Sequence, residues 1–250
     1  MKSCTTILLL LLSFPLRGLT LNIYTEDFPP FNFLENNKVT GASTEIVQEI
    51  MKEAGFSYQI HTLPWARTLK VAEKEKGALI YSISRTEKRE NLYTWIDTIV
   101  PVEYTVYALK KQKQIKIGSL EEMKKYRIGT TRGDARESFL LASGFRENNF
   151  ELLAGKDSYF RNFRKLKSGK IDLWPMPVAV ATWLLKNKNI DIHQTLTPAY
   201  RLREMSGSYY LAANKQISPD ILEGLKKAIT KLRKSGFLDQ VAKKWQLTNP

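Results

Sequence analysis

Short apolar runs alternate with stretches of helical patterning along almost the whole chain, and that alternation limits the fold more than any other feature. Leu21-Asn22-Ile23-Tyr24 alternates as a strand does and is closed by Glu26-Asp27-Phe28-Pro29-Pro30. Ile46, Val47, Ile50, Met51 and Ala54 then recur at helical spacing, with Ser43 and Thr44 as the expected cap and Gly55 as the stop. Tyr58-Gln59-Ile60 predicts a strand and the stretch from Trp65 to about Lys74 a helix. Ala78-Leu79-Ile80-Tyr81 predicts a strand covered on both faces, as in a parallel sheet. The pattern repeats after 105–109, with strands expected at 127–129, 150–153, 171–174 and 190–192 and helices over 134–142, 157–167 and 178–186. Residues 209–213 are extended again. Ser218-Pro219-Asp220 then opens a helix with an N-cap, a first-turn proline and an acid at its positive end, and a last short helix carries Phe237, Leu238, Val241 and Trp245. Two consecutive βαβ blocks argue for two α/β lobes, and the cleft between the carboxyl ends of their strands is the default site.

The first segment reads differently. Met1-Lys2, the run from Ile7 to Leu12 and the breaker Phe14-Pro15 before Gly18 describe a secretory signal peptide over residues 1–18, too short an apolar run to span a membrane. The alternative is a buried N-terminal strand or helix. The remainder is expected to be soluble and exported. The single cysteine, Cys4, excludes an intramolecular disulfide and a thiolate zinc site. His61 and His193 lack metal spacing, so no metal and no cofactor are expected, and no nucleophile motif or paired acid and base points to catalysis. The formal charge of +14 falls to +12 without Lys2 and Arg17. Its lysines alternate with apolar helix positions, as on a solvated face, and no nucleic-acid motif accompanies them.

One strand end concentrates the groups of an anion receptor. Ser82 and Ser84 follow a buried strand two residues apart, Thr86 is placed to cap the next turn, and Arg89 lies three residues on. A planar guanidinium holds a carboxylate through two parallel hydrogen bonds. The competing reading is a capped turn with a solvated arginine.

Strand, Ser-x-Ser-x-Thr-x-x-Arg, then Leu92-Tyr93-Thr94-Trp95 and Pro101-Val102-Glu103-Tyr104 resembles the polar amino-acid family of periplasmic substrate-binding proteins. The resemblance extends to Pro30-Phe31, Gly41, Ile128-Gly129-Thr130-Thr131-Arg132-Gly133-Asp134, Ser168-Gly169-Lys170-Ile171-Asp172 and Lys244-Trp245, nearly the whole chain after the leader. It implies two Rossmann-like lobes joined by two crossing strands, closing as a monomer on a small solute for an ABC permease or a sensor in the inner membrane. It makes Arg89 the carboxylate clamp with Ser82 and Ser84 beside it, and it places Gly133 and Asp134 on the second lobe's side of the same group. The family's ammonium-binding acid is replaced by Trp174-Pro175-Met176-Pro177. Glu26 and Asp134 are the alternative cation partners, and a solute other than a standard α-amino acid is equally allowed. Trp65 is a stacking candidate, with core packing as its rival. Arg67 is a second cation, with a solvated helix face as its rival, and Phe31 and Trp174 are expected to line the cleft. Lobe 1 is expected over 19–106 plus 209–250 and lobe 2 over 107–208, with hinges near 104–109 and 209–213. A cleft enzyme of the lyase or dehydratase kind is the rival function.

Overall fold

A computed structural model describes residues 20–155 and 157–247; the expected leader and Cys4 lie outside them. The first block runs β1 (Thr20–Thr25), β2 (Phe33–Glu35), β3 (Lys38–Thr40), α1 (Ala42–Ala54), β4 (Ser57–Thr62), α2 (Trp65–Lys74), β5 (Leu79–Ile83), α3 (Glu87–Glu90) and β6 (Tyr93–Val102). The second runs β7 (Tyr104–Leu109), β8 (Ile128–Thr131), α4 (Ala135–Ala142), β9 (Phe150–Leu153), α5 (Ser158–Lys167), β10 (Trp174–Pro177), α6 (Val178–Lys186), α7 (Ile192–Thr195) and β11 (Leu196–Arg201). The chain then returns through β12 (Gly207–Asn214), α8 (Pro219–Lys234) and α9 (Phe237–Lys244).

These elements form two lobes. Lobe 1 is a five-stranded sheet in the order β4-β1-β5-β12-β6. Its first three strands are parallel, as their continuous apolar runs predict, while β12 lies antiparallel between β5 and β6. Lobe 2 holds the antiparallel sheet β10-β7-β11 and the parallel pair β8-β9, tied together by a bridge from Ile128 to Leu173. Sheet membership puts the passages between lobes at Glu103 and at 202–206. Tyr104 therefore belongs to the second sheet, and β7 and β12 lie wholly inside sheets rather than at the crossings.

The apolar stripe of α1 (Ile46, Val47, Ile50, Met51) is fully buried with Ile23, Leu79 and Tyr81 of the sheet, and α8 and α9 pack beside it, against β6 as well. Gly41, not Ser43 or Thr44, is the residue before α1. Its φ of 112° suits glycine, and a Cβ there would sit 2.5 Å from the Phe31 carbonyl oxygen. Ser43 and Thr44 are buried in the first turn, where Thr44 Oγ1 meets the Tyr81 hydroxyl at 2.9 Å. In lobe 2 the strand expected at 190–192 gives way to α7, because the Asp191 carboxylate caps the amides of His193 and Gln194 at 2.8 and 3.1 Å. No described helix is long and apolar enough to cross a membrane.

Candidate functional site

The carboxyl ends of β1, β5 and β8 converge between the lobes, where sheets of this kind leave space for a ligand. From lobe 1 come Glu26 just past β1, Ser82 and Ser84 at the end of β5, Arg89 on α3 and Trp65 at the start of α2. From lobe 2 come Tyr104, Asp134 and Arg136 at the mouth of α4, and Tyr159 on α5. They enclose a cavity of only about 20 Å³, room for one or two waters. A solute of even a few heavy atoms enters only if the lobes part.

Arg89 is 5% exposed although it sits on a helix of four residues. Its Nη1 donates to the Ser84 carbonyl at 3.2 Å, its Nη2 donates across the lobes to the Gly133 carbonyl at 2.9 Å, and its guanidinium carbon lies 5.4 Å from the centre of the Trp65 ring. Among the described residues no carboxylate forms an ion pair with it, and burial pulls its pKa below the ordinary arginine value. Buried cations normally acquire an anionic partner, and among the described residues Arg89 has only carbonyl acceptors. Ser82 stands at φ 57°, a left-handed conformation that a side chain adopts only at a cost, and its buried Oγ has no hydrogen-bond partner among the described residues. Ser84 Oγ reaches the Tyr104 hydroxyl at 3.4 Å, which in turn meets the Tyr209 hydroxyl at 2.6 Å.

Across the cleft, Asp134 caps α4 by accepting from the Arg136 amide at 2.6 Å, and the same carboxylate grips the Arg136 guanidinium through Nε at 2.9 Å and through Nη2. Arg136 Nη1 also donates to the Pro175 carbonyl at 3.1 Å and touches the Met176 sulfur, and the guanidinium rests 5.2 Å from the Tyr159 ring centre. Burial alone would lower the Arg136 pKa, but Asp134 outweighs it and holds it above the usual value. The Tyr159 hydroxyl donates across the lobes to both oxygens of Glu26 at 2.9 Å. Burial pushes the Glu26 carboxyl up to about 8, against the lowering effect of that hydrogen bond.

Seven of the ten residues singled out in the sequence meet at this cleft: Glu26, Trp65, Ser82, Ser84, Arg89, Gly133 and Asp134. Trp65 satisfies both of its readings, since it lines the cavity and also packs on Ile80, Ile83 and Tyr93. Gly133 contributes otherwise than expected. Its carbonyl receives Arg89 and its amide is already bonded to the Glu137 carboxylate, so it offers no donor to an anion. Phe31 is corrected to a core residue, stacked on Phe28 and edge-on to Tyr209, and Phe28 takes its place in the cavity wall. Trp174 is likewise corrected: it is fully buried inside lobe 2 against Tyr107 and Phe163. Arg67 is exposed on α2, away from the cavity, as its solvated reading has it. Arg136, Tyr159, Tyr104 and Tyr209 were missed. One signal for Arg136 was available, because Asp134 two residues before it marks a helix start beside a glycine turn. No three His, Cys, Asp or Glu side chains cluster as metal ligands among the described residues.

The sequence pattern that defines the bacterial extracellular solute-binding proteins, family 3, matches residues 21–248. A probable histidine-binding protein of Campylobacter jejuni is 25% identical over 236 residues, 92% of this chain and 86% of that protein. Among solved structures, a histidine kinase sensor domain with similarity to periplasmic binding proteins superposes with a TM-score of 0.79 at 18% identity, covering 92% of this chain and 96% of that one. The arginine-, lysine-, histidine-binding protein ArtJ of Geobacillus stearothermophilus does so with a TM-score of 0.77 at 16% identity, over 93% and 97% of the two chains. Two α/β lobes, the polar cleft between them and a match across almost the entire sequence have one explanation: the chain belongs to the bacterial extracellular solute-binding proteins of family 3.

Proposed function

We propose that this protein captures a small, carboxylate-bearing, amino-acid-like solute between its lobes and delivers it to an ABC permease in the inner membrane, working as an exported monomer. The observation that carries the reading is Arg89, a guanidinium 5% exposed, bonded only to carbonyls and backed by the face of Trp65. A carboxylate entering beside it gains charge-assisted hydrogen bonds in a low-dielectric site, and the orphaned Ser82 Oγ supplies a further partner. Binding and closure are one event in this scheme, because Arg89, Glu26 and the α4 residues face one another only when the lobes meet. The relatives named for histidine and arginine binding support a solute of amino-acid size. The sensor-domain likeness supports a second use of the same capture, in which the closed form reports to a signalling partner instead of a permease.

Calorimetry with the physiological solute tests the assignment. Arg89→Ala is expected to weaken binding by about 2–5 kcal/mol, the cost of truncating one partner of a buried charged pair. Unchanged affinity in a folded Arg89→Ala protein removes Arg89 from the site.

A further inference from the structure

The cavity wall holds two carboxylates, and each is already engaged. Asp134 is held through both oxygens by the Arg136 guanidinium, which is itself fixed by the Pro175 carbonyl, the Met176 sulfur and the Tyr159 ring and is 3% exposed. Glu26 is held by the Tyr159 hydroxyl, and with its carboxyl pushed up to about 8 it keeps its proton at neutral pH. The strand facing α4 here, Pro175-Met176-Pro177, has no side-chain oxygen. The charge balance then favours a simple anion. Asp134 is paired with Arg136, Glu26 is held by the Tyr159 hydroxyl, and among the described residues Arg89 forms no ion pair. A monocarboxylate brings the closed cleft to zero. A zwitterion leaves it positive and adds an ammonium that finds a carboxylate only if the buried Asp134–Arg136 pair breaks or Glu26 first releases its proton to water. Desolvating an ammonium without such a partner is costly.

We propose that the cleft selects carboxylates that carry no α-ammonium over the corresponding α-amino acids, with Arg136 as the residue that turns the ammonium away. This rests on Arg89 as the carboxylate subsite and narrows the solute class assigned to it. At 16–25% identity the relatives named for amino acids leave the cleft residues free to differ.

The test compares matched pairs on the wild-type protein by titration calorimetry at pH 6.5: glutarate with glutamate, 3-phenylpropionate with phenylalanine, imidazolepropionate with histidine and 5-guanidinopentanoate with arginine. In every pair that binds, the acid without the amino group is expected to bind at least tenfold more tightly. In Arg136→Met, Asp134 is released to meet an ammonium, and the preference is expected to shift at least tenfold toward the amino acid. Should that variant fail to fold, the wild-type pairs alone decide. Equal or tighter binding of the amino acids overturns the inference and leaves the Arg89 subsite standing. If no member of any pair binds, the carboxylate subsite is rejected along with it.

Discussion

Glu26 shows how much burial alters one side chain. Its carboxyl faces Tyr159 from α5, Asp134 and Arg136 from α4, and its neighbour Asp27, and burial dominates the shift to about 8. In the unfolded chain the same group loses its proton near the ordinary glutamate value. Between roughly pH 5 and 8 the unfolded state is therefore deprotonated at Glu26 while the folded state is not, so this residue's contribution to stability falls as pH rises, by up to about 1.4 kcal/mol per pH unit. Glu26→Gln is expected to flatten that decline. Urea unfolding at pH 5 and pH 8 checks it, and equal losses in wild type and variant would remove the effect from Glu26. The site residues readable in sequence were those on one short stretch. Ser82, Ser84 and Arg89 lie within eight positions, so a strand and a single turn suffice to bring them together. Tyr159 reaches Glu26 from 133 positions away, and no local pattern encodes that approach.

Elements were legible where apolar spacing alone decides them. The helices expected at 65–74 and 178–186 match α2 and α6 in both bounds, and the buried run of β5 lies in the middle of a sheet. A capping side chain accounts for one miss and a close backbone approach for the other. Asp191, at the centre of Ile190-Asp191-Ile192, turns an alternating triplet into a helix start, and Gly41 rather than two hydroxyl residues opens α1. The hairpin of β2 and β3 has only three residues per strand, too few to show a period, and turns at Asn36 and Asn37 with φ of 49° and 61°. Close approach also marks β8. A Cβ on Gly129 would collide with Ile171 and the Asn162 side chain, which donates to the Thr130 carbonyl at 2.9 Å and draws α5 onto the strand. Gly129→Ala is expected to cost about 1–3 kcal/mol of stability as an overpacked core, measured by urea denaturation. A loss under about 0.5 kcal/mol would mean that α5 shifts freely, as at an ordinary surface position.

For the molecule as a whole, side-chain hydrogen bonds join the lobes across the cleft, from Arg89 to the Gly133 carbonyl, from Tyr159 to Glu26, and through the Tyr104 hydroxyl to Ser84 and Tyr209. Tyr159→Phe keeps the ring against Phe28 and removes the bond to Glu26. It is expected to favour the open form by about 1 kcal/mol, roughly fivefold. Small-angle scattering without added solute should then give a larger radius of gyration than the wild type; superimposable profiles would show that this bond does not hold the lobes together. The two-lobed plan was legible from the repeated βαβ pattern, but not the passages at Glu103 and 202–206, because β6 and β7 follow one another with a single residue between them. The place of β12 has a consequence for how the molecule comes into being. This strand is inserted between β5 and β6, yet the whole of lobe 2 precedes it in the chain. A polypeptide emerging from the ribosome therefore holds a half-built first sheet with unpaired edges until residue 214 has been made. It stays loose and threadable through nearly the whole of its synthesis and sets only at the end.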